Sequence, residues 1–313
     1  MEEKLPGKQG IYLVANLKSE ALCENLIYSI RKSGCTLPIR VIPFGGEPVQ
    51  SRYILQQAEM YDLSRFPPEG LDFIKQLRTV LVGCPLGFLH RFLALYGDWE
   101  EFIYSDNDIV ALMNWEKLFG YLSEYDFVHA DEEYTTHGRF NYDEPDSVER
   151  IFGPGSLLSA FTAGHFVARR NTYFVNDMIK AIEWFQKNPS IPKKHDQALM
   201  HIASLIGKWN ILNLCREPHN WLSPWAGDYN NTLAVVQAIQ KNGKYYPITH
   251  MHYSGFKPTG VRPVEELIFA SVGPKSRLRS LIYNGMKELS GYSFMVSFKG
   301  RVFRRLKLIL SRK

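Results

Sequence analysis

Blocks of apolar and polar positions divide the chain into elements. Gly10 to Asn16 (GIYLVAN) is an apolar run of strand length, and Leu17 to Ser33 follows with Leu22, Leu26 and Ile30 at helical spacing. Leu37 to Phe44 (LPIRVIPF) is a second apolar run. This β-α-β opening predicts a parallel sheet and an α/β fold. Leu71 to Tyr96 carries two helical stretches broken at Cys84-Pro85-Leu86-Gly87. Glu101 to Ser105 reads as a further strand, Trp115 to Leu122 as a helix and Tyr125 to Ala130 as a strand. Asp131 to Pro154 is acidic, polar and turn-rich, which predicts a long functional or mobile loop. Ser159 to Ala168 (SAFTAGHFVA) reads as a strand interrupted by the small residues Ala163 and Gly164. Thr172 to Lys187 has the spacing of an amphipathic helix, and a loop over Pro189 to Lys194 leads to another helix at His195 to Ile206. Short strands are expected at Trp209 to Leu214 and Pro247 to His252, flanking an aromatic, irregular stretch from Pro218 to Tyr246.

Composition agrees with a globular chain large enough for a sizeable core: 313 residues, 45% hydrophobic and 22% charged. The net charge of +5 hides a division. Ser271 to Lys313 holds 11 Lys/Arg and 1 acidic residue, leaving 26 basic and 31 acidic residues for the rest. The basic character therefore belongs to the tail, and the expected boundaries are a main domain over 1–270 and an extension over 271–313. The four cysteines form no CxxC pair and no zinc-ligand spacing. The polar start, MEEKLPGKQG, has no signal-peptide core, and no run of 18 apolar residues exists. Together these predict a cytoplasmic protein.

The candidate chemistry starts at Asp106-Asn107-Asp108, directly after the Glu101 to Ser105 strand. Residues i and i+2 of an extended segment share a face, so two carboxylates would sit close enough to repel unless a cation lies between them. Oxygen ligands of this kind suit Mg²⁺ or Mn²⁺, with phosphate supplying further oxygens. The bland reading is a pair of aspartates in a strand-to-loop turn. The same spacing occurs in haloacid-dehalogenase-type phosphatases, but there a Thr-type turn follows near the N-terminus, whereas Ile109-Val110 follows here, well inside the chain. A second cluster, His250-Met251-His252-Tyr253-Ser254-Gly255-Phe256-Lys257-Pro258, offers an imidazole to complete a metal shell, from either His252 or His250. It also offers Lys257 as a phosphate partner and Gly255 for close backbone approach. Ala163-Gly164 predicts close approach by a ligand or another chain segment. Asp196-Gln197 opens a helix, where Asp196 reads as an N-cap or as a group near the reacting carbon. Arg91 reads as a diphosphate clamp or a surface arginine.

Taken in order, these motifs resemble metal-dependent, retaining nucleotide-sugar glycosyltransferases of the GT-A fold, in the glycogenin-like and bacterial lipopolysaccharide galactosyl- and glucosyltransferase group. The resemblance covers roughly Gly10 to Pro258 and marks a divergent member: Thr162 stands where that group usually has Asn, and Thr259 follows Lys257-Pro258 where Trp is frequent. It implies a Rossmann-like, mostly parallel sheet flanked by helices. It implies donor contacts from Tyr12, Ala15, Asn16, Arg91, Asp106, Asn107, Asp108, Ala163, Gly164, Gly255 and Lys257. It further implies Mn²⁺ or Mg²⁺ on Asp106, Asp108 and His252 (or His250), with Asp196 and Gln197 at the reacting sugar. The implied reaction moves a hexose from a UDP-sugar to a glycan or glycolipid acceptor. The opposing reading is a non-catalytic relative that binds sugar nucleotides or glycans as a scaffold.

The tail interleaves apolar and basic residues from Phe298 to Leu310 at helix-compatible spacing. That pattern predicts an amphipathic segment on an anionic membrane surface, placing the protein peripherally on the inner face of the membrane. Its alternative is a helix packed on the body with solvated basic residues. Nothing else in the chain suggests nucleic-acid binding.

Overall fold

The structure, a computed structural model, describes residues 9–130, 138–170, 172–229, 239 and 244–253. The expected tail segment 271–313 and its boundary therefore lie outside the described residues. The chain divides into two units, Met1–Pro224 with Tyr246–His252, and Trp225–Tyr245 with Tyr253–Lys313. The second contains, among its described residues, a 3-10 turn at Ala226–Asp228. Both sheets, and Asp106, Asp108 and His252, belong to the first.

Its strands are β1 (Gln9–Ala15), β2 (Ile39–Pro43), β3 (Glu59–Met60), β4 (Glu101–Ser105), β5 (Ile109–Ala111), β6 (Phe127–His129), β7 (His165–Arg169), β8 (Ile211–Asn213) and β9 (His250–His252). Its helices are α1 (Glu20–Lys32), α2 (Arg52–Gln57), α3 (Pro68–Val80), α4 (Leu86–His90), α5 (Pro145–Phe152), α6 (Thr172–Lys187) and α7 (Asp196–Gly207). Seven strands form one sheet in the order β3-β2-β1-β4-β7-β6-β8. Pairing is parallel except along β7, which runs antiparallel to both β4 and β6. This is the predicted α/β architecture with its mostly parallel sheet flanked by helices.

Strand alternation divides the core. From β1, Tyr12 and Val14 point to one face, where they join Phe102, Tyr104 and Phe166 and are covered by residues of α3, α6 and α7. Ile11, Leu13 and Ala15 point to the other, with Val41, Ile103 and Val167 beneath α1. α7 is buried over Ala198–Ser204, which accounts for its nearly continuous apolar sequence.

A second, two-stranded sheet pairs β5 with β9 antiparallel, matching Ile109 to His252 and Ala111 to His250. Several bonds fasten this pair. The Ala111 amide donates to Ser29 Oγ on α1 (2.9 Å), and Trp115 Nε1 donates to the Thr249 carbonyl (3.1 Å). The His252 amide donates to the Pro224 carbonyl at 2.7 Å.

Three expected elements change. The predicted loop over Asp131 to Pro154 contains α5, started by Pro145 at its first turn; residues 131–137 lie outside the described residues. The predicted strand from Ser159 shortens to β7: Ser159 ends a 3-10 turn over Ser156–Ser159, and the chain stays irregular until His165. Trp115–Ser123 is 3-10 rather than α-helical.

Candidate active site

The C-terminal ends of β1 and β4 lie side by side in a parallel pair, and the candidate residues collect there. Open α/β sheets place their ligands at this edge. After Ser105 the chain leaves the sheet, and Asp106, Asn107 and Asp108 form the turn into β5. The two carboxylates thus converge across a turn, not along an extended strand as the sequence suggested. Three bonds fix the turn. The Asp106 amide donates to the Gly164 carbonyl (2.7 Å), Tyr104 Oη donates to Asp106 Oδ1 (2.6 Å), and Asn107 Nδ2 donates to the Val14 carbonyl (2.7 Å).

The β5–β9 register decides which histidine joins the aspartates. Opposite Ile109, His252 places Nε2 3.4 Å from Asp108 Oδ1. His250 sits two residues farther along the ladder, opposite Ala111, with Nδ1 2.8 Å from Thr249 Oγ1. Asp106, Asp108 and His252 each offer one ligand atom, all within 4.8 Å of one another. His250 is not in that group.

Gly164 makes room for this arrangement. A Cβ at Gly164 would lie 2.3 Å from His252 Cε1, so only glycine lets the imidazole reach Asp108. The close approach expected at Ala163-Gly164 is therefore made by His252. Ala163 itself is buried in the core.

Arg91 lies directly after α4, in a 3-10 turn rather than on a helix, and its side chain is 3% exposed. The surface reading does not hold, because the guanidinium is buried between two aspartates. Its Nη2 is 3.1 Å from an Asp106 carboxylate oxygen, and its Nη1 is 2.9 Å from Asp196 Oδ2. The guanidinium lies between the rings of half-exposed Phe88 and buried Tyr104, 5.1 and 5.2 Å from their centroids.

These contacts set the electrostatics. Burial pushes the Asp106 carboxyl up and Arg91 pulls it down; the charge of Asp108 adds to the rise, and the net value is about 6. Partial burial also raises Asp108, but the neighbouring His252 outweighs it and the net shift is downward. Burial, followed by the charge of Asp106, holds the Tyr104 phenol protonated and able to donate.

The remaining sequence candidates separate. Asn16 is buried and ties two loops together: Nδ2 donates to the Gly45 carbonyl (2.9 Å), while Oδ1 accepts from the Lys18 amide (3.0 Å). Ala15 ends β1 with its side chain in the core. Tyr12 is 0% exposed, its ring 4.4 Å from that of Trp99 and 6.1 Å from that of Tyr61. It is a core residue, not a ligand contact, because alternation turns it into the apolar layer. Asp196 is the first residue of α7 and not its cap. His195 is the N-cap, its Nδ1 accepting from the Ala198 amide at 3.4 Å. Gln197 donates from Nε2 to Asn141 Oδ1 (3.0 Å). Gly255 and Lys257 lie outside the described residues. Sequence reasoning missed Tyr104 and Asn141. Tyr104 had a signal, since it precedes Asp106 by two at the end of β4; Asn141 had none.

The three donors suit a hard or borderline divalent cation: two carboxylates and one imidazole, drawn together in space, with one carboxyl destabilised by burial and by its neighbour's charge.

No protein-family model and no curated protein sequence matches the chain. Solved structures do share its fold. The bifunctional glycosyltransferase WbbM, in apo form, superposes with a TM-score of 0.54 at 11% identity, covering 87% of this chain and 50% of that one. The chain thus spans half the length of WbbM. The galactosyltransferase LgtC, in complex with donor and acceptor sugar analogues, gives a TM-score of 0.52 at 13% identity, covering 87% and 99%. Mouse xyloside xylosyltransferase 1 gives 0.51 at 12%, covering 80% and 99%. The seven-stranded sheet, its antiparallel β7 and these likenesses together establish that the chain has the GT-A fold found in these glycosyltransferases.

Proposed function

We propose that this protein is a metal-dependent glycosyltransferase that moves a hexose, with retention, from a UDP-sugar to a glycan or glycolipid acceptor. The observation that carries the reading is the convergence of Asp106, Asp108 and His252 at the sheet edge, where Gly164 lets His252 in. The solved complex of LgtC with donor and acceptor sugar analogues supports a nucleotide-sugar donor by analogy of fold.

In this reading Asp106, Asp108 and His252 hold Mn²⁺ or Mg²⁺, whose charge would offset that of the departing diphosphate. Tyr104 and Arg91 keep Asp106 aimed at the cation. Asn16 and the backbone at Ala15 shape the nucleoside end, and Asn107 steadies the turn beneath it. Asp196 and Gln197 face the sugar. Because Arg91 holds the Asp196 carboxylate, Asp196 orients the donor and is not free to act as a base, which favours retention. Lys257 and Gly255 would meet the diphosphate, and segment 271–313 would rest on an anionic membrane at its cytoplasmic face.

Titrating UDP into the protein in a calorimeter, with Mn²⁺ and then with a chelator, tests this. Binding that needs Mn²⁺ and disappears in Asp108→Ala is expected. If UDP, GDP and dTDP all fail to bind under both conditions, the catalytic reading is abandoned for the scaffold.

Gly164→Ala gives a second test. The added methyl must displace the His252 ring, and Mn²⁺ affinity should fall by about 10- to 100-fold, the scale of losses when a ligand's support is removed. The free-Mn²⁺ signal in electron paramagnetic resonance measures it; unchanged affinity would remove His252 from the site.

A further inference from the structure

We infer that Asn141 is a positioning residue for Gln197: it takes the donor end of the Gln197 amide and leaves the acceptor, Oε1, to meet a sugar hydroxyl. The inference rests on the glycosyl-transfer reading above. A carboxamide can present a donor or an acceptor, so an unanchored Gln197 could show a ligand either end. Here Gln197 Nε2 donates to Asn141 Oδ1 at 3.0 Å, which commits that end.

Asn141 has a fixed seat. It is fully buried at the end of a 3-10 turn, Arg139–Asn141. Its amide donates to the Gly138 carbonyl (3.1 Å), and its carbonyl accepts from the Lys193 amide (3.0 Å). Gly138 has φ +72, and a Cβ there would be 2.3 Å from Ala160 Cβ, so the turn is pressed against the segment leading to Gly164. The next residue, Tyr142, holds His201 of α7 through a 2.6 Å contact between Oη and Nδ1. The turn is thus tied to α7 at two points, and Gln197 is one of them.

The choice of asparagine needs an explanation, because Asn141 Nδ2 is buried without a partner. An unpaired buried donor is costly, and an apolar residue of similar size would leave none. What an apolar residue cannot do is accept from Gln197. The orphaned half is therefore the cost of the paired half, and that pairing sets the chemical face Gln197 shows to the sugar.

The test uses the full chain with Mn²⁺ and UDP-glucose, with water as acceptor, following UDP release. Asn141→Leu should keep the thermal midpoint, the UDP affinity and KM, but lower kcat on the order of 10²-fold, as misplaced groups do. Asn141→Asp, whose carboxyl still accepts from Nε2, should restore turnover. If Asn141→Leu does not fold, Asn141→Ala replaces it. A second readout needs no activity: in protein labelled with ¹⁵N-glutamine, the Gln197 Nε2 protons should exchange slowly in the wild type and fast in Asn141→Leu. Wild-type kcat in Asn141→Leu, or a stable Asn141→Asp as slow as the leucine variant, overturns the inference. So does exchange unaffected by Asn141→Leu. A wild type that neither binds UDP nor releases it sinks the glycosyl-transfer reading instead, and the exchange comparison still decides whether Asn141 fixes the amide.

Discussion

Asp106→Asn should abolish Mn²⁺-dependent UDP release while leaving the protein folded. The substitution keeps the shape of the side chain and an oxygen for Tyr104, but removes the charge that a cation needs. In the native protein that charge sits in an unfavourable place: burial, set against the pull of Arg91, and the nearby Asp108 leave its pKa at about 6. A bound cation would relieve this. Loss of about 4 kcal/mol of transition-state stabilisation corresponds to roughly 10³-fold in rate. Turnover of UDP-glucose against Mn²⁺ concentration, alongside a thermal melt, is the measurement. A folded Asp106→Asn variant with wild-type turnover would show that the aspartate pair does not hold the catalytic cation.

The second large effect is on stability. Arg91→Leu should destabilise the fold by about 3–5 kcal/mol, the usual consequence of removing one partner from a buried ion pair. Arg91 is shared by Asp106 and Asp196, whose side chains are 18% and 7% exposed. Without the guanidinium both must protonate or remain charged without compensation. Such a loss is a large part of the 5–15 kcal/mol typical of a folded domain. Arg91→Lys should recover part of it, since a point charge reaches one carboxylate but cannot bridge two. Urea unfolding followed by far-UV circular dichroism reads this directly. A midpoint for Arg91→Leu matching the wild type would mean that solvent, not Arg91, supports the two carboxylates.

How far the sequence foretold this structure depended on the kind of signal. β4 falls on Glu101–Ser105 and α6 on Thr172–Lys187, where a continuous apolar run and a sustained helical period each speak for themselves. α2 and β3 gave no such pattern. The first is six residues long, and the second is two residues set by pairing with β2. α5 hid inside an acidic stretch, although Pro145 was a legible start. The candidate metal ligands were legible as residue types, but choosing between His250 and His252 required a strand register, which is a tertiary property. Tyr12 misled because its place on the opening strand suggested a ligand contact, whereas its ring is enclosed by Trp99, Tyr61 and Phe102 in the core. Asp196 was legible as a polar helix start, but its bond to Arg91 joins segments far apart in the chain and leaves no local trace.

One consequence of the β5–β9 pair concerns the order in which the site is assembled. The large sheet closes on β8, before β9 has been reached along the chain. Asp106 and Asp108 lie in the turn after β4, early in the chain, while His252 arrives on the last described strand. A nascent chain would hold an incomplete ligand set until β9 zips onto β5. A cation bound by the proposed site would then act as a clasp, since its binding energy would add to the free energy of seating β9. In the proposed site, metal occupancy and attachment of β9 would then be two readings of one equilibrium.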